Sequence, residues 1–495
     1  MKIGDARRAS VNARRAQTLT RHKAAATRAT SSSSLDSHFS FTDFPCEGDV
    51  RCLMILVEFQ DLRFLMPGES TLQHYKDMTM KDGYDFSYSR YRHYDCMRNY
   101  YVQNSGNKFR PSFDVYGPVL LDNNLAYYGA KVGGENDVRA GEMIIEACQK
   151  LDDQGVDFSN YDANGDKKVD VVMIIYAGEG QNNVGASTDC IWPHQWTVYD
   201  ATHQVVTLDG VELSEYVCVN ELYNDKLDGM GTICHEFCHV FGLPDLYNTQ
   251  GQTDKLAPSS LDVMDSGCYL QNGFHPCALS AYECYELGWL EPTPLDAKEP
   301  VCMELKELGS SRQSFIVRTD SLYDDPRDSE YYILENRQNV GWDEYLPGHG
   351  MFVWHIDYDE SAWFYNRPNN VHTHHRVALV PASEQAVQGH HTPFPGLSNV
   401  TEFTDDTTPA FSGWSEKGTL DRPLGKPIYN IREVSDPNDS KSNVIRFDFM
   451  GHVVDDIQTV KRDASQAASQ IIMIDGQPVI VTAEGRRYTL QGQLK

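Results

Sequence analysis

The stretch His235-Glu236-Phe237-Cys238-His239-Val240-Phe241-Gly242-Leu243-Pro244-Asp245 places two histidines four residues apart. On a helix they share one face, so both imidazoles can serve one ion, while Glu236 is rotated toward the solvent side. Gly242 follows three residues after His239, where a glycine at positive φ ends a helix and turns the chain back. Asp245 can then reach the same ion, giving three protein ligands and an open fourth position, the catalytic rather than the structural zinc arrangement. Pro244-Asp245 is also the signature of a helix-stopping turn, and Asp254 and Asp262 are further acids nearby.

Outward from this helix the order is α/β. Val50–Phe59 is an apolar run that predicts a central strand, Arg90–Gln103 has the aromatic spacing of an amphipathic helix, and Arg139–Gln149 predicts a second helix. A second central strand is expected over Val169–Tyr176, and Glu215–Leu222 is strand-like just ahead of the histidine helix. The expected layout is a sheet on one side with helices packed on the other. Past Pro300 the texture changes to short strand-like runs divided by Gly, Pro, Asp and Asn, such as Tyr331–Asn336, Met351–Tyr358, Val377–Pro381 and Val444–Met450. That pattern predicts an all-β, sandwich-like region. The expected divisions are 1–42, a basic linker or pro-segment remnant; 43–300, the catalytic domain; 301–452, the β region; and 453–495, a tail with a polar helix-like start and hairpin-like pieces at Gln470–Val481 and Arg487–Leu490.

Composition narrows the partners. The 495 residues carry a formal charge of −28, yet residues 1–30 hold eight Lys/Arg against one acid, so that segment is +7 and the remainder −35. A body this acidic repels phosphate backbones, which argues against nucleic acid as the main partner. The longest apolar runs are too short to span a bilayer, and no apolar stretch of a secretory signal follows Met1. The twelve cysteines form no CxxC pair, and a disulfide between Cys234 and Cys238, one helical turn apart, is geometrically disfavoured. Oligomeric state is not readable.

Other candidate sites are weaker. Asp162, Asn164, Asp166 and Asp170 alternate before a strand as calcium ligands do, but Lys167 and Met173 stand where an EF-hand has Gly and Glu, and an Asx-rich turn explains the pattern equally. His349, His355, His372, His374, His375, His390 and His391 are too irregularly spaced to define a second metal. His194 and Glu221 flank the region ahead of the histidine helix and are candidate substrate-cleft residues, against a plain surface role for Glu221.

With Met264-Asp265-Ser266-Gly267 following, His-Glu-x-x-His-x-x-Gly-x-Pro-Asp resembles the M6 metallopeptidases of the immune-inhibitor-A type. Ile55–Asp61, Asn104-Ser105-Gly106, Asp114–Pro118, Ile191–His194, Leu287–Leu290, Glu335–Gln338 and Leu346–Gly350 extend the likeness over most of the chain. The resemblance implies an α/β zincin, metzincin-like catalytic domain followed by the β-sandwich-like domain, in a secreted or cell-surface zinc endopeptidase acting on proteins or peptides. It implies that Met264 forms a hydrophobic Met-turn beneath the zinc ligands and that the protein is made as a precursor. Against the family's pattern, residues 1–42 are expected to be what stands for its long pro-segment. In the expected mechanism a zinc-bound water attacks a peptide carbonyl while Glu236 takes its proton as general base and passes it to the departing amine. Tyr269 or Tyr247 is placed to stabilise the carbonyl oxygen. Two rivals remain: a third ligand from Glu283 or Glu286, and an adhesin or glycan-binding protein with a vestigial protease domain.

Overall fold

The computed structural model describes residues 44–453, apart from 89, 132–136, 184, 252–255, 320–329, 384–391, 398, 416, 438 and 440, together with the strand backbones 470–474, 477–481 and 487–488. The expected linker 1–42, the helix-like start of the tail, Asp254, His390 and His391 lie outside the described residues.

The first half is built from β1 (Gly48–Glu58), α1 (Gly68–Met80), α2 (Met97–Asn104), β2 (Phe109–Leu120), α3 (Ala140–Asp152), β3 (Val172–Glu179), β4 (His194–Thr197), β5 (Glu215–Tyr223), β6 (Lys226–Leu227), α4 (Gly231–Val240) and α5 (Ala281–Glu286). One mixed sheet runs in the order β6-β5-β3-β1-β2. Its β1, β2, β3 and β5 are parallel, and β6 and the short β4 both pair antiparallel with β5. The near-continuous apolar run of β1 is that of a strand covered on both faces. Val50, Cys52, Met54 and Leu56 pack with α1, α2 and α4, whereas Leu53, Ile55 and Val57 pack with Met143, Ile144, Ala147 and Leu151 of α3. Helices therefore lie on both faces of the sheet, which corrects the one-sided layout expected from element order; the period-2 alternation of β1 divides two cores.

Expected elements shifted or were incomplete. The helix expected over Arg90–Gln103 starts only at Met97, because Ser87–Tyr88 and Tyr91–Arg92 pair as a small antiparallel hairpin and Cys96 stands at the helix N-cap. The strand expected over Val169–Tyr176 is divided: Lys168–Val169 pairs with Val211–Leu213 in a separate small sheet, and Val172 opens β3. The helix α1 was not anticipated. Its polar residues outnumber its apolar ones, but it still buries Tyr75 and Met78.

The second half adds β7 (Thr293–Pro294), β8 (Val301–Leu305), β9 (Ser314–Arg318), β10 (Glu330–Arg337), β11 (Gly350–Asp357), α6 (Glu360–Phe364), β12 (Val377–Leu379), β13 (Ile428–Ser435) and β14 (Asn443–Phe449). A five-stranded sheet runs β7-β9-β10-β11-β12 and a three-stranded sheet runs β8-β14-β13. Alternation along the larger sheet sends Phe315, Val317, Tyr332, Leu334 and Val353 toward Ile445, Phe447 and Phe449 of the smaller one. Its other face, with Ile316, Tyr331, Ile333, Trp354 and Ile356, joins the core that holds α2 and α4. Tail strands 470–474, 477–481 and 487–488 pair antiparallel. Among the described residues no helix is long and apolar enough to cross a membrane, and all twelve cysteines are free thiols.

Candidate metal centre

The helix α4 is fixed before its ligands are considered. Phe237 and Phe241 point into the core, against Phe44, Tyr101 and Phe109. Tyr101 donates its phenol hydrogen to the Cys234 carbonyl at 3.0 Å. At its first residue the helix lies so close to the chain at Cys268 that a Cβ on Gly231 would come within 1.8 Å of the Cys268 carbonyl oxygen, so only glycine fits. At its other end Gly242 adopts φ +90°, and its amide bonds the His239 carbonyl at 2.8 Å, the turn expected from sequence.

That turn brings Asp245 back to the histidines. Its Oδ1 lies 3.0 Å from Nε2 of His235 and 3.3 Å from Nε2 of His239, with all three side chains buried. Among the described residues, His235, His239 and Asp245 are the one group of three or more His, Cys, Asp or Glu whose ligand atoms lie within 4.8 Å of one another. Nδ1 of His235 donates to the Val263 carbonyl at 2.8 Å, and Nδ1 of His239 donates to the Leu243 carbonyl at 2.8 Å. With Nδ1 turned to a backbone carbonyl in both, Nε2 is the nitrogen that each ring presents to the buried Asp245 Oδ1. Such a convergence calls for a positive charge among the three atoms, a proton in the metal-free chain or a metal ion, and two imidazoles with one carboxylate suit a transition metal such as zinc. In the metal-free chain the same convergence makes an ion pair. Burial disfavours charge on His235, yet the Asp245 carboxylate draws its pKa well above the ordinary histidine value. Burial pushes Asp245 upward, and the His239 and His235 rings overcome it, holding the carboxyl far below its usual range.

Glu236 stands beside this group, its Oε2 4.0 Å from Nε2 of His239. Burial raises its pKa above the ordinary glutamate value against the pull of both histidines, and the backbone amide of Gln195, on edge strand β4, hydrogen-bonds it. A carboxylate raised in this way is better suited to accept and return a proton near neutrality. Met264 is fully buried. Its carbonyl accepts the Leu246 amide at 2.9 Å, so the segment that orients His235 through Val263 also holds the chain beside Asp245. Tyr269 stacks on Tyr223 at 4.9 Å, and its hydroxyl accepts a hydrogen bond from Asn182 at 3.4 Å. Burial raises the Tyr269 and Tyr247 phenols, with the Asp245 carboxylate adding to the shift of Tyr247 and the Glu236 charge adding to both.

Other expected site residues lie elsewhere. Glu221 is 1% exposed, and its carboxylate accepts the Leu65 and Gly178 amides at 2.6 and 3.1 Å, so it anchors the loop after β1 from inside the protein. His194 begins β4, but its ring bonds the Trp192 carbonyl at 2.6 Å and the Tyr216 hydroxyl at 2.9 Å. Glu283 closes a capping box with Ser280, and Glu286 accepts from Tyr331, so neither joins the histidine pair. Asp262 accepts the Met264 amide. In the loop 162–170, Asp162 and Asn164 accept the Asp166 amide, Asp162 accepts the Lys167 amide, Asp166 accepts the Lys168 amide and Asp170 accepts the Ala163 amide. This is the bonding of an Asx-rich turn, and calcium finds no support in it. His349, His355 and His374 pair with three separate carboxylates, Glu433, Glu330 and Asp357.

Sequence reading missed the carbonyls of Val263 and Leu243, the Gln195 amide, and Asn366, which bonds Asp245 from 121 residues downstream. The Leu243 contact had a local signal, since a chain reversing at Gly242 returns its next carbonyl to the helix end. Asn366 had none.

Residues 47–286 match the family model described as immune inhibitor A peptidase M6, catalytic domain. The chain is 26% identical over 265 residues to a pre-pro-metalloprotease PrtV of Vibrio cholerae serotype O1, covering 47% of this chain and 29% of that protein. It is 28% identical over 240 residues to an immune inhibitor A of Bacillus thuringiensis subsp. alesti, covering 41% of this chain and 34% of that protein. The chain thus spans about a third of the length of these relatives. The convergent His-His-Asp group lies within the matched segment, so that over residues 47–286 the chain is similar to the catalytic domain of the M6 peptidases, a family that includes metalloproteases.

Proposed function

We propose that this protein is a secreted zinc endopeptidase acting on protein substrates, with His235, His239 and Asp245 as the zinc ligands and Glu236 as the general base. The observation that carries the reading is the convergence of two backbone-oriented Nε2 atoms and a buried Asp245 oxygen, with Glu236 alongside. When bound, zinc supplies a Lewis acid that polarises the scissile carbonyl and acidifies a water. Glu236, held by the Gln195 amide, takes the proton from the attacking water and returns it to the departing amine nitrogen. Tyr269 or Tyr247 donates a hydrogen bond to the developing oxyanion. The free edge of β4 lies alongside α4 and aligns an extended substrate, and Met264 floors the site.

A metzincin-like fold for 43–300 and a sandwich-like arrangement for 301–452 accord with this reading. The parallel sheet with an antiparallel edge strand precedes the histidine helix, and the five- and three-stranded sheets share an apolar interior. Secretion is inferred from the likeness to a pre-pro-metalloprotease.

The test is metal content together with casein cleavage, before and after chelation. About one zinc per chain, cleavage abolished by the chelator and restored by zinc is the expected result. A chain that binds no zinc and cleaves nothing refutes the proposal.

A further inference from the structure

Between residues 365 and 377 the second half of the chain reaches back onto the segment that carries Asp245. Asn369 donates to the carbonyls of Leu246 and Val377 at 2.8 and 2.7 Å. Asn370 accepts from the amide and hydroxyl of Thr249. Asn366 touches the ligand itself. Its Oδ1 accepts the Asp245 backbone amide at 2.6 Å, and its Nδ2 donates to Asp245 Oδ2 at 2.6 Å.

This two-point contact helps to set the rotation of the Asp245 carboxylate, to which the Tyr247 phenol also hydrogen-bonds. Oδ2 is engaged by Asn366, while Oδ1 is turned to the two imidazoles. Asn366 itself adopts φ +50°, a left-handed conformation that asparagine tolerates better than other residues with a Cβ. The backbone position and the side-chain chemistry thus both suit asparagine.

We infer that Asn366 is a positioning residue for the third metal ligand, supplied from beyond residues 47–286, so that the metal centre is completed by the second half of the chain. The inference rests on the zinc reading above. Partners that orient metal ligands commonly change metal affinity by about 10–100-fold when removed.

The experiment measures zinc affinity by chelator competition and the visible spectrum of the cobalt-substituted full chain, for wild type, Asn366→Gly, Asn366→Asp and Asn369→Ala. Glycine keeps the left-handed backbone and removes the clamp. Aspartate keeps the acceptor but loses the donor and sets a second charge beside Asp245. Asn369→Ala loosens the same loop through backbone carbonyls and amides, without touching the Asp245 side chain. Both Asn366 variants are expected to lose about 10–100-fold in zinc affinity and to shift the cobalt spectrum, while Asn369→Ala leaves both near wild type. Affinities of the Asn366 variants within threefold of wild type, or an equal loss in Asn369→Ala, overturn the inference. A wild-type chain that binds neither metal overturns the zinc reading instead.

Discussion

Nδ1 of His235 donates to the carbonyl of Val263, 2.8 Å away and 28 residues along the chain, and this bond dictates which ring nitrogen faces Asp245. The tautomer is thus set by backbone and is independent of Glu236. Glu236→Gln is therefore expected to keep its zinc while kcat/KM falls by about 10²–10⁴-fold, the range for losing a general base. Metal analysis and a peptide cleavage assay on one preparation check it; zinc lost in parallel with activity would mean that Glu236 helps to hold the metal.

Phe237 lies between Glu236 and Cys238 on the opposite side of α4, fully buried, with ring centroids of Phe44, Tyr101 and Phe241 at 5.5, 5.2 and 5.1 Å. Phe237→Ala opens a cavity in a rigid aromatic cluster and is expected to cost about 3–5 kcal/mol. Urea denaturation measures the loss. A cost below about 1 kcal/mol would show that the cluster collapses around the gap.

Asp228 is buried just ahead of α4, and burial pushes its pKa to about 7, against the hydrogen bond from the Thr232 hydroxyl. Between the ordinary value of 3.8 and about 7 the folded state keeps a proton that the unfolded chain has released. Stability from this group is therefore full at about pH 4 and is lost as pH rises through 7. Asn can meet the same hydroxyl without charge. The advantage of Asp228→Asn over wild type should grow toward pH 8, by at most about 4 kcal/mol at 1.4 kcal/mol per unit. Urea titrations of both metal-free proteins at pH 4.5 and 8 decide it, and a difference that does not change with pH refutes it.

Arg337 is wholly buried, bonding both oxygens of Asp343 and the carbonyls of Leu261 and Ala278. It ties β10 to the segment that leads into Val263 and Met264. Arg337→Met strands the Asp343 carboxylate and should cost about 3–5 kcal/mol, whereas Arg337→Met with Asp343→Leu should regain much of it. Thermal unfolding of the two variants separates an uncompensated charge from a lost tether, which the double variant would not repair.

The candidate metal centre was legible where chemistry is written at helical spacing. His235, Glu236 and His239 share one continuous helix, and Gly242 announces the reversal that delivers Asp245. The strands β1, β3 and β5 were legible because their centres are buried on both faces and so are apolar. The segment 90–96 deceived because its tyrosines and arginines mimic helical spacing while the chain makes a hairpin. Glu221 deceived differently: its place on the strand was foreseen, but the two amides that bury its carboxylate come from residues 65 and 178. Asn366 was invisible for the same reason, since its partner lies 121 positions away.

The core that encloses α4 continues from Phe44 to Leu379 without a break at residue 286, where the family match ends. A recognisable segment is thus smaller than the portable one. Anyone grafting this catalytic segment into a relative would lay bare Ile316, Ile333, Trp354 and Ile356 along the cut face, and would have to carry the five-stranded sheet across with it. Variation in the two halves is mechanically linked, so that an altered side chain on one bank of this seam calls for a matching one on the other.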